Sequence, residues 1–182
     1  MRWFAYFILA YFAVALQIGL SPYVQYRGAA PNLVLLAVVF IALNAPRDAA
    51  LLGCFCLGVL QDLVTQQQLG LFAFSYALVG LLVFGLHQVV YREHPLTHFS
   101  MTLVGGAVTT CVLLLHGWIH PPSPAVAAAG GQPALPAIRL SPATEFVRAA
   151  YTAVLAPVVL GLLQRVKKVF AFQPQRRKVR AW

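Results

Sequence analysis

Ala49-Ala50-Leu51-Leu52-Gly53-Cys54-Phe55-Cys56-Leu57-Gly58-Val59-Leu60-Gln61-Asp62 is the stretch on which the reading of this chain turns. It opens a run of forty-three residues, 49–91, in which Asp62 is the only charged side chain when His87 is neutral. At about 20 residues per crossing, that run has enough apolar length for two membrane helices. A carboxylate at the centre of a membrane helix costs roughly 2.5–3.5 kcal/mol by insertion scales, and less near an interface. Asp62 therefore needs a partner, a wet position or a function.

The whole chain fits the same solvent. Of its 182 residues, 60% are hydrophobic and 9% charged, with a mean hydropathy of +0.78. Soluble domains carry about 25% charged residues. The composition predicts an all-α integral membrane protein of one domain, because backbone groups in lipid must be bonded within the segment. Six apolar segments are legible, at about 3–20, 29–45, 49–65, 69–90, 99–119 and 146–166. Ser21-Pro22, Asn44-Ala45-Pro46 and His94-Pro95 punctuate them. Pro31 suits a first helical turn, where its missing N–H is harmless. Asp48 is placed to cap the third segment. Pro157, near the middle of the sixth, should kink it. Residues 120–142 form a Pro/Ala-rich outer loop, read as a spacer.

Charge gives orientation. The net charge is +9, and seven of the thirteen basic residues lie in the tail: Arg165, Lys167, Lys168, Arg176, Arg177, Lys178 and Arg180. Basic residues collect on the cytoplasmic side. Six crossings with both termini cytoplasmic place Arg2, Arg47, Arg92 and the tail inside, and Arg27, Arg139 and Arg148 outside. The tail fits an anionic membrane surface rather than nucleic acid. Arg2, the apolar run after it and Ala13-Val14-Ala15 together resemble a cleavable signal, but bulky aromatics in that run favour an uncleaved span.

Ala50, Cys54, Gly58 and Asp62 recur every four residues and drift about 40° per step on a helix, so they form one slanted stripe. Small residues at this spacing let a neighbouring helix come close. The stripe ends at Gln61-Asp62, in the last turn of its segment, where the helix dipole disfavours a carboxylate by roughly 0.3–1 kcal/mol. Three environments suit Asp62. It is solvated at the interface, or paired with a polar donor from another span or another protein, or part of a proton or ion relay.

The run Pro31-Asn32-Leu33-Val34-Leu35-Leu36, then Gly53-x-x-x-x-Gly58-x-x-Gln61-Asp62, then Leu69-Gly70-Leu71, resembles the MreD family of rod shape-determining proteins. The match extends from Pro31 to about Tyr76; the long loop 120–142 and the basic tail depart from the family pattern. The resemblance implies a bacterial inner-membrane component of the cell-elongation machinery, acting in peptidoglycan wall biogenesis as a partner rather than a catalyst. It implies association with the single-span protein MreC and, through it, with the actin-like MreB and wall-synthesis enzymes. It also implies a fold like the substrate-binding subunits of energy-coupling-factor vitamin transporters. Pro31, Asn32, Ala50, Cys54, Gly58, Gln61, Asp62 and Gly70 are the residues expected to serve helix packing or partner binding.

Other chemistry is thinly represented. His94/His98 and His116/His120 have a metal-compatible spacing of four. Both pairs sit at span ends, where exposed or hydrogen-bonded histidine is the ordinary case, so no metal or cofactor is expected. The four acids are scattered, which gives no paired-carboxylate motif for acid–base catalysis, and there is no phosphate-binding loop. Cys54, Cys56 and Cys111 lie in apolar blocks and read as small packing residues. Ser75, Ser100, Thr109 and Thr110 should bond back to their own helices. The serious alternative is a vitamin-binding transporter subunit, but the first segment lacks the Ala-x-x-x-Ala docking motif usual there, with Ala15-x-x-x-Gly19 the nearest.

Overall fold

The computed structural model describes residues 3–25, 29–65, 69–86, 95–119 and 142–170. Among these the chain is all-helical. Six helices follow in order: α1 (Trp3–Leu20), α2 (Leu33–Asn44), α3 (Arg47–Thr65), α4 (Leu71–Leu86), α5 (Pro95–Ile119) and α6 (Pro142–Phe170). Three helical stretches, Arg47–Thr65, Leu96–Ile119 and Ala143–Arg165, are long and apolar enough to cross a membrane; Tyr6–Leu20, Leu33–Asn44 and Leu71–Leu86 are apolar but shorter. The length criterion is thus met by three of the six expected spans.

The second segment differs most from its sequence reading. Its helix has 12 residues, Leu33–Asn44, about 18 Å of length against a hydrocarbon layer of about 30 Å. Every residue from Val34 to Asn44 is buried. The helix is apolar on all sides, the signature of a helix enclosed by protein rather than facing one core. It packs against each of the other five. α2 is therefore the central post, and its ends are completed by protein groups rather than by lipid. At its C-terminal end the Asn44 carboxamide donates to the Phe40 carbonyl at 2.8 Å.

The helix starts also move. α2 begins two residues after Pro31 because Asn32, with an extended backbone, caps it by accepting from the Leu35 N–H. Asn is a strong N-cap, whereas Pro has no side-chain acceptor. Asp48 falls inside the first turn of α3 rather than at its cap; the Pro46 carbonyl accepts from the Ala50 N–H at 2.8 Å. Pro95 opens α5 instead of preceding it, as a first-turn proline can. Pro157 lies within α6, where it removes one N–H from the helix ladder. Residues 120–141 of the expected loop, Gln66–Gln68, and Arg176, Arg177, Lys178 and Arg180 of the tail lie outside the described residues. Lys167 and Lys168 fall in α6, with only the backbone described, and Arg165 is exposed.

Glycines set the closest helix approaches. A Cβ on Gly53 would sit 3.1 Å from the Tyr6 ring, whose hydroxyl donates to the Gly53 carbonyl at 2.8 Å and joins α1 to α3. A Cβ on Gly80 would meet the Cys54 sulfur at 3.1 Å, and one on Gly106 the Ala149 methyl at 3.0 Å. Cys54 is a buried packing residue, and the described cysteines are free thiols.

Candidate functional site

The α3–α4 junction begins with a helix that cannot cap itself. Gly70 directly precedes α4, and its carbonyl accepts the first helical bond, from the Phe74 N–H at 2.8 Å. Its φ is +103°, a conformation that side chains disfavour. A glycine at the cap position has no oxygen to offer the orphan N–H groups of the first turn. Asp62 provides the missing acceptor from the last turn of α3. Oδ2 accepts from the Gly70 N–H at 2.9 Å and the Ala73 N–H at 3.1 Å. Oδ1 accepts from the Phe72 N–H at 2.9 Å. Asp62 is 1% exposed.

This geometry settles the electrostatics of Asp62. The C-terminal end of its own helix disfavours the charge, while the N-terminal end of α4 attracts it. Charge-assisted bonds to three backbone donors are about twice as strong as neutral ones. The carboxylate is paired, and its donors are main-chain groups eight to eleven residues further along the chain.

Gly58, one turn before Asp62, makes the approach possible. A Cβ there would stand 2.6 Å from both the Ala73 nitrogen and the Phe72 oxygen, and closer still to the Ala73 Cα. Gly58 and Asp62 hold the same turn of α4, one by removing bulk and the other by accepting its N–H groups. Ala50 and Cys54 continue the buried stripe along α3. The four stripe residues are enclosed within this chain.

A second hub caps α2 at the same end of the bundle. Asn32 Oδ1 accepts from the Leu35 N–H at 2.9 Å, and Nδ2 donates to the Tyr76 hydroxyl at 2.9 Å. The Asn32 N–H donates to Thr152 Oγ1 at 2.9 Å. The Gln17 carboxamide clamps the turn beside it, accepting from the Leu33 N–H at 2.6 Å and donating to the Pro31 carbonyl at 3.1 Å. Pro31 is buried. The Pro31-Asn32-Leu33 motif thus ties α2 to α1, α4 and α6.

Sequence reading identified Pro31, Asn32 and Asp62 but missed Gln17 and Thr152 and gave Tyr76 no role. The available signal for Gln17 was a lone polar residue near the end of an apolar run. Ser75, Ser100 and Thr109 do bond back to carbonyls of their own helices, at 2.7, 3.1 and 2.9 Å. His98 is buried, and its Nε2 lies 2.9 Å from Gln164 Nε2 across the α5–α6 interface. Among the described residues no group of three His, Cys, Asp or Glu side chains is placed to hold a metal. His94 and His120 lie outside them.

Gln61 lies beside Asp62 but points elsewhere. It lines a cleft of about 220 Å³ with Gln17, Asn32, Thr65 and Arg148. Arg148 Nη1 lies 3.1 Å from Glu145 Oε1 and 3.4 Å from Oε2 within α6. Glu145 is buried and Arg148 partly exposed.

No curated protein and no solved structure matches the chain. One family model does, that of the rod shape-determining protein MreD, over residues 1–166. That span contains α1 to α5, most of α6 and both capping hubs. The chain belongs to the MreD family of rod shape-determining membrane proteins.

Proposed function

We propose that this protein is a non-enzymatic membrane scaffold of the bacterial cell-elongation complex, linking wall synthesis to the cytoskeleton through an MreC-like single-span partner. The family match over residues 1–166 carries the reading. The structure supports it physically. Asp62, Asn32, Gln17, Tyr76 and Thr152 all hold helices to one another, which suits a rigid shape presented to partners. The chain crosses the inner membrane six times with both termini cytoplasmic. The Asp62–Asn32 end then faces outward. The basic tail, Arg165 to Arg180, rests on the anionic inner leaflet with up to about 1 kcal/mol per charge.

Depletion in the source cell tests the reading. Loss of the protein should round rod-shaped cells and disperse the wall-synthesis machinery from the cylindrical wall. Rods that persist after depletion would overturn the proposal. Asp62→Asn sharpens it. The substitution should weaken co-purification with the MreC-like protein only as far as it unfolds the α3–α4 junction. A well-folded variant that no longer binds would assign Asp62 a direct partner contact.

A further inference from the structure

We draw no further inference here: the strongest candidate, the groove of about 440 Å³ between the start of α4 and the end of α5, lined by Leu71, Phe74, Val112 and Leu115, is an unpartnered apolar face, and nothing in the structure shows what covers it.

Discussion

The two ends of the helix bundle are built on opposite principles. At one end, acceptors and donors from different helices meet in buried or half-buried contacts. Asp62 caps α4, Asn32 joins α2 to α4 and α6, and Gln17 clamps the turn before α2. At the other, among the described residues, His98 meets Gln164 between α5 and α6, and the Arg47 guanidinium lies 5.5 Å from the Phe84 ring centre between α3 and α4. That second end instead carries Arg165, exposed near the C-terminal end of α6. Buried polar bonds in a low-dielectric interior fix geometry, and they are costly to leave half-made. Exposed charges fix little geometry but respond to the membrane surface and to salt. One end therefore sets the shape of the bundle, and the other addresses its surroundings.

The largest effect should follow from emptying the α4 cap. Asp62→Ala leaves three N–H groups without their acceptor, each worth roughly 1–3 kcal/mol when buried. It should lower stability by about 4 kcal/mol in reversible unfolding by sodium dodecyl sulfate. A loss under about 1 kcal/mol would mean that water replaces the carboxylate and that the two ends differ less than the geometry implies.

Gly58→Ala comes next. The added methyl meets α4 main chain rather than a side chain that can swing away, so the junction must open, at about 3 kcal/mol. Opening also lengthens the Asp62 bonds. The double variant should therefore lose clearly less than the sum of the two single losses, since residues sharing one contact are not additive. Additive losses would separate the glycine from the cap.

Tyr76→Phe removes one hydroxyl from the α2 hub while Asn32 keeps its bond to Leu35. It should cost about 1 kcal/mol, seen as a modest shift of the same unfolding curve. The smallest effect on stability belongs to the basic tail. Neutralising Arg176, Arg177, Lys178 and Arg180 should leave unfolding within about 0.5 kcal/mol. The same change should reduce binding to vesicles containing anionic lipid, more strongly at low salt. A large loss of stability there would break the contrast between the ends.

How much of this was legible depends on the range over which each signal acts. The stripe Ala50, Cys54, Gly58 and Asp62 was readable because helical spacing is a local property, and the structure buries all four. The odd position of Asp62, an acid in the last turn of its helix, was readable for the same reason. Its partners were not. They are backbone N–H groups, which every residue except proline carries, so no side-chain pattern marks them. Gln17, Tyr76 and Thr152 were equally silent, because each meets Asn32 or its neighbours only after distant helices have packed together. The depth of α2 was half legible. Its unbroken apolar run fitted a lipid-facing span as well as a buried post, and only its enclosure by five neighbours separates the two.

By itself the sequence determined a helical membrane chain, the order of its helices, the sign and place of its charge, and the resemblance to its family. These follow from hydropathy and spacing, which act over a turn or a span. The tertiary structure decided that α2 is the post around which the others stand. It also decided that Asp62 serves α4 rather than its own helix, and that Gly58 is small because a backbone passes there. Those outcomes depend on which groups meet across helices, and the chain specifies such meetings only through the packing of the whole bundle.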